Sequence, residues 1–187
     1  MLKISSIHIS SKETLGEYQA TGSELLTQIY KQQIGGYPKF YKMDPLAKLG
    51  FVASELLLIL EQELASSRQE QIIPRFTERE DRAIVLVNHS ASIAADDIYA
   101  KTIQTGDDYF PSPADFVYTL PNIVTGEIAI RNHYYGESNF LCVQDISQTE
   151  DIIRMAFADP MTTSVIGGWL ECTSPNDFEA ELSIYVK

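Results

Sequence analysis

Apolar and polar residues alternate from Leu2 to Ile9 (LKISSIHI), a period of two that predicts a strand. Residues 11–38 are polar and glycine-punctuated, which predicts a loop with one short helix over Ser23–Gln32. The period then changes. Leu46, Leu49, Ala53, Leu56, Leu57, Leu60 and Leu64 recur at helical spacing, with Glu55, Glu61 and Glu63 outside that stripe. Asp44 supplies a capping carboxylate and Pro45 a first helical residue, so an amphipathic core helix is expected to start there. The cluster Glu78–Arg82 reads as a solvated charged loop. Ala83–Asn88 (AIVLVN) is a continuous apolar run, the pattern of a strand buried on both faces. A helix is expected over 93–103, with Asp96 and Asp97 near its start and Asp107 and Asp108 in the loop beyond. Strands are expected over 139–144, 162–170 and 180–186, and a helix over 148–158. Strands interleaved with helices predict an α/β layered fold, with a mainly parallel mixed sheet, an antiparallel edge and helices covering it.

The densest signal lies in residues 112–137, SPADFVYTLPNIVTGEIAIRNHYYGE. Ser112 and Pro113 form a helix start, and Pro121–Asn122 breaks that helix and begins another. Gly126 sits inside the second helix, where it costs about 1 kcal/mol against alanine. A glycine there suggests close packing against another backbone. Gly136 is expected to end the helix as a left-handed cap.

The 187 residues suggest one domain, 1–187, with a sizeable core. The net charge of −12 argues against nucleic acid, whose affinity comes from basic phosphate contacts, and against an anionic membrane surface. The longest apolar run, Leu56–Leu60, is too short to span a bilayer. The first residues show no apolar leader, and Cys142 and Cys172 form no metal motif, so a reduced, cytoplasmic setting without metal or other cofactor is expected.

Candidate chemistry is sparse. His89-Ser90-Ala91-Ser92 follows the buried strand, but no G-x-S-x-G elbow accompanies it. His8 on a strand reads as structural. Cys142 falls inside a predicted strand, where a cysteine is usually a small buried residue.

In order and spacing, Pro113, Phe116, Asn122, Gly126 and the turn Gly136-Glu137-Ser138-Asn139 resemble the β-ketoacyl synthases, the thiolase-like condensing enzymes. The resemblance is strongest to small ketosynthase-like proteins of bacterial aryl-polyene and flexirubin pathways. Ile9-Ser10, the lead-in Phe40–Asp44 and Gly167-Gly168 before Glu171 agree with it. It implies a thiolase-like layered fold, and it spans the N-terminal half of a full condensing enzyme. The two catalytic histidines of the other half have no positions here, and none of His8, His89 and His133 matches their motifs.

The family's nucleophile is a cysteine at a tight strand-to-helix turn, about nine residues after the glycine matched by Gly136. Asp145 falls near that position, and Cys142 lies about three residues too early. A carboxylate cannot perform the thiolate's acyl transfer. The resemblance therefore implies a ketosynthase-like protein without independent condensing activity. It would be a partner or scaffold for a ketosynthase or an acyl carrier protein, forming a homo- or heterodimer through strand 139–144. Lys42, Lys48, Lys101 and Arg131 are the candidates for a basic patch towards an acidic carrier protein. Two other readings stand beside it: an active acyl-thioester transferase using Cys142 with His89 or His133, and a binding module with no tie to acyl chemistry.

Overall fold

The computed structural model describes residues 1–103 and 111–187; Asp107 and Asp108 lie outside them. One five-stranded sheet runs in the order β1 (Leu2–Ser10), β5 (Asp177–Val186), β4 (Ser164–Ser174), β2 (Arg82–Asn88), β3 (Ser138–Cys142). The pairs β4–β2 and β2–β3 are parallel, and β5 runs antiparallel to both β1 and β4. The mixed α/β sheet expected from the pattern is present. Its reversed strand lies one place in from the β1 edge rather than at the edge.

Helix α2 (Pro45–Ser67) is the centre of one layer. Asp44 accepts hydrogen bonds from the backbone N–H of Leu46 and of Ala47, both at 3.0 Å, and Pro45 begins the helix. A stripe was expected on it, but nearly every residue from Leu46 to Leu58 is buried. The reason is its surroundings: the sheet lies beneath it, and α1 (Gly22–Ile29) and α5 (Ile123–Asn132) pack beside it. Glu55 is therefore 2% exposed, not outside the core. It is tolerated because Arg75 Nη2 (2.7 Å), Asn132 Nδ2 (3.2 Å) and Arg131 Nε (3.4 Å) all donate to it.

The charged run 78–82 is solvated only in part: Glu78 and Glu80 are exposed, but the other three residues are drawn into the structure. Arg79 makes two hydrogen bonds to Asp81, and Arg82 is buried against Glu61 of α2.

The other face of the sheet is treated in two halves. Over β2 and β4, helix α6 (Thr149–Ala156) buries Ile153 and Ala156 against Ala83, Val85 and Val165. Over β1 and β5 the face is polar and exposed, with Ser6, His8, Glu179 and Glu181. Alternation along these two strands thus replaces a covering layer with water. The remaining helices are α3 (Ile93–Ile103) and α4 (Pro113–Tyr118). None of the helices is long and apolar enough to cross a membrane among the described residues.

Glycines divide by role. Gly168 has φ +155°, and a Cβ there would collide with the carbonyl oxygen of Glu181 on β5. At Gly136 a Cβ would lie 2.5 Å from the Arg82 carbonyl oxygen, and at Gly167 one would lie 2.9 Å from the Ile153 side chain. Two expectations are corrected here. The left-handed residue closing α5 is His133 (φ 58°), not Gly136, which lies further on, in the four-residue link to β3, where it passes the backbone of Arg82. Among the described residues a Cβ at Gly126 would meet nothing within 4 Å, so the expected close packing against another backbone is not found there.

Candidate functional site

The parallel strands β2, β3 and β4 end together, and the loops beyond carboxyl ends of such strands are where α/β sheets build sites. Here they bring together Asn88 at the end of β2, His89 and Ser90 after it, Cys142 at the end of β3, and Glu171 on β4.

Asn88 is fully buried, and its side chain folds the loop back on itself. Its Nδ2 donates to the carbonyl oxygen of Ala91 (2.8 Å), and its Oδ1 accepts from the N–H of Ala91 (3.0 Å). Ala91 takes a left-handed conformation (φ 52°) to meet both. Glu171 holds the same loop from the next strand: one oxygen accepts from the His89 N–H (2.9 Å), the other from the Ser90 hydroxyl. His89 Nδ1 lies 3.0 Å from the carbonyl oxygen of Val143, which fixes that nitrogen as the N–H donor and turns Nε2 outward.

These contacts decide what the cluster can do. Ser90 donates to a carboxylate rather than to an imidazole, so the residues do not form a nucleophile–base–orienter chain. Cys142 is exposed, and its Sγ lies 3.7 Å from Asn88 Oδ1. That partner is an acceptor for the thiol proton, neither a base that removes it nor a cation that favours the thiolate. His89 shares this edge with Cys142. His133 does not: its carbonyl oxygen accepts from the Arg79 N–H, at the opposite end of the strands. Cys172 is buried beneath Glu171, and burial pushes its thiol up to about 12, out of reach of nucleophilic chemistry.

The turn from β3 into α6 is closed by Asp145. Its carboxylate accepts from the Ser147 N–H (2.8 Å), and the Gln148 side chain accepts from the Asp145 N–H (3.2 Å), a capping box. The start of the helix, where a thiolate would be stabilised, is thus occupied by a cap.

The other positions singled out in the sequence lie apart from this edge. Pro113 is the first residue of α4, capped by Ser112. Phe116 is half exposed, with its ring centroid 5.4 Å from that of Tyr99. Asn122 precedes α5 without capping it through its side chain. Gly167 and Gly168 are inside β4.

A cleft of about 290 Å³ opens beside the same end of the sheet. Leu26, Met43, Ala95, Ile98 and Tyr118 give it apolar walls, and Lys42, Lys48, Asp44 and Asp115 border it. Burial pushes the Asp44 carboxyl up to about 6, against the pull of its two backbone donors. Lys101 lies on α3, whose Ala95 and Ile98 line this cleft. Arg131 does not belong with these lysines, because it is spent on Glu55 and on the carbonyl oxygens of Gly35 and Gly36. Sequence reasoning missed Asn88 and Asp44 as parts of this region. The available signals were a polar residue ending an apolar strand and a cap next to two lysines.

No protein-family model and no curated protein matches the sequence. Solved structures do match it in fold. The ishigamide ketosynthase/chain length factor aligns with a TM-score of 0.63 at 16% identity, over 85% of this chain and 47% of that one. The ketosynthase ApeO in complex with its chain length factor ApeC from Xenorhabdus doucetiae aligns with a TM-score of 0.57 at 11% identity, over 100% of this chain and 80% of that one. The chain spans about half the length of the first of these relatives. Its fold is that of ketosynthase and chain length factor proteins.

Proposed function

We propose that the chain is a ketosynthase-like subunit without a working nucleophile, a single unit over residues 1–187 that serves as the non-catalytic partner of a ketosynthase in acyl-carrier-protein-dependent polyene or lipid synthesis. The observation that carries this is the β3–α6 turn. The position suited to a nucleophile holds the Asp145 cap, and the nearby thiol of Cys142 faces only an amide oxygen. Claisen-type condensation needs an activated thiolate, and among the described residues of this edge no base or cation is in contact with the Cys142 thiol.

The edge strand β3 supports a partner role. Among the described residues Ser138–Cys142 is paired on one side only; it is mostly exposed and contains no proline, lysine or other charge. Natural edges are usually blunted by such residues or by bulges. The β1 edge carries Lys3 and a register shift beside it, whereas β3 carries no comparable device. An unblunted edge is suited to main-chain pairing with another chain's strand. One of the fold relatives is a ketosynthase bound to its chain length factor, which favours a ketosynthase as that chain.

Intact-protein mass spectrometry after incubation with acyl-coenzyme A and acyl-carrier-protein donors tests the catalytic half of this reading. The expected result is no adduct on folded protein. A stoichiometric adduct that disappears in Cys142→Ala would make the chain an acyl-thioester transferase. Co-expression with each ketosynthase encoded in the same genome tests the partner half, and recovery of none of them would favour a binding module outside acyl chemistry.

A further inference from the structure

Ser5 is 8% exposed, and among the described residues its hydroxyl has no hydrogen-bond partner. Native folds rarely leave a buried hydroxyl in that state. It lies at an irregularity in the sheet. Lys3 pairs with Tyr185 and Ser5 with Ile184, so Ile4 is an extra residue without a partner on β5. Such a bulge re-aims the side chains beside it, and here both Ile4 and Ser5 line a cavity of about 150 Å³. The last turns of α2 and residues 70–73 line it from the other sides. This is the end of the sheet where β4 begins, since Leu2 stands opposite Val186 and Val186 opposite Ser164. Asn88 and Cys142 end their strands at the opposite edge.

The charges around the cavity cancel. Arg79 is committed to Asp81 through Nε and Nη2, and both oxygens of Glu61 accept from Arg82. Arg68 and Glu70 remain, one cation and one anion, both exposed and, among the described residues, without an ion-pair partner. The Gln62 side chain donates to the Ile73 carbonyl oxygen at 3.1 Å and keeps its own oxygen as an acceptor. The apolar share of the lining includes Leu64, with Ile72 and Ile73 45% and 48% exposed. A ligand of net charge would bring an uncompensated charge to this balanced surface. A wholly apolar one would leave the Ser5 hydroxyl unpaired.

We infer that the cavity binds a small zwitterion with an aliphatic body, the chemistry of a free branched-chain α-amino acid. Its carboxylate meets Arg68, its ammonium meets Glu70 and the oxygens of Ser5 and Gln62, and its side chain covers Leu64, Ile72 and Ile73. A cavity of about 150 Å³ holds roughly six carbon atoms, which suits an aliphatic side chain with its charged head at the mouth. The site shares no residue with the β3 edge, so it stands apart from the partner reading.

Isothermal titration calorimetry on the full purified chain tests this. The probes are L-leucine, L-valine, isocaproate (leucine without its amine), isoamylamine (leucine without its carboxylate) and glycine, which lacks the aliphatic body. Leucine or valine is expected to bind, and each of the other three to bind about tenfold more weakly or worse. Arg68→Gln and Glu70→Gln change exposed residues and are expected to fold like the parent while weakening leucine binding by about tenfold. Ser5→Ala removes the unpartnered hydroxyl. It is expected to melt no lower than the parent and yet to bind leucine more weakly, a combination that a purely structural serine would not give. No binding of either amino acid at about 10 mM, by calorimetry or by a shift in melting temperature, overturns the inference. So does an analogue of single charge that binds as well as leucine. Parent-like leucine binding in both Arg68→Gln and Glu70→Gln, with folding shown by circular dichroism, overturns it as well.

Discussion

Arg82, the first residue of β2, places its two terminal guanidinium nitrogens on the carboxylate of Glu61 in α2, at 2.8 and 2.6 Å. The arginine is 3% exposed and the glutamate side chain 25%, so the pair links helix α2 to the start of β2, the strand between β4 and β3. Removing one partner of such a pair leaves a charge without compensation. Glu61→Ala is expected to lower the unfolding free energy by about 3 kcal/mol, read from urea denaturation. The double change Glu61→Leu with Arg82→Met is expected to recover much of that loss. A loss in the double variant equal to or larger than that of Glu61→Ala would show that the pair's geometry, rather than the stranded charge, sets its value.

Asp44 makes stability depend on pH in a direction opposite to most carboxylates. Its folded pKa of about 6 lies above the ordinary value of 3.8, so the folded state holds the proton more tightly. The contribution is greatest below pH 4, is lost as pH rises from about 4 to about 6, and is then flat. The span corresponds to about 3 kcal/mol at most. Asp44→Asn keeps a good capping residue and is expected to flatten the curve between those limits. A parent curve that rises with pH across the same window would contradict the burial argument.

Two glycines should respond in opposite ways to alanine. Gly168→Ala forces a Cβ into the Glu181 carbonyl at a conformation that favours glycine, and a loss of ~3 kcal/mol or more is expected. Gly126→Ala fills open space on a helix and should add about 1 kcal/mol. Thermal melts of the two variants, measured side by side, check both signs.

The two thiols should separate cleanly. Cys142 is exposed and Cys172 is fully buried with its thiol pushed up to about 12. A thiol reagent at neutral pH is expected to modify one site per folded chain, and two after unfolding. Loss of the fast site in Cys142→Ala confirms the assignment, and rapid labelling of Cys172 in folded protein would contradict the burial.

Local chemistry was readable in the sequence where one residue type has one dominant use. Asp44-Pro45 and Ser112-Pro113 announced their helices, and the apolar run at 83–88 announced a strand covered on both faces. What was not readable depended on partners distant in sequence. Glu55 looked like a surface residue because nothing nearby reveals that Arg75, Arg131 and Asn132 converge on it. His133 takes the left-handed position that Gly136 seemed suited to, because Gly136 is needed where β2's backbone passes too close for any side chain. In the region of the site, the capping role of Asp145 follows from its spacing to Gln148, but the hold of Glu171 on the loop after β2 requires two strands to be neighbours first.

The register of β1 on β5 sets Leu2 opposite Val186 and Ser10 opposite Glu179. β1 therefore finds its partner only after the whole stretch up to β5 has been made. Until then β1 can lean on α2 but has no strand beside it, and sheets closed by such distant pairings fold slowly. The polar residues that keep the outer face of β1 wet would also protect the unfinished chain, since during that wait one face of this strand offers little for other nascent chains to stick to.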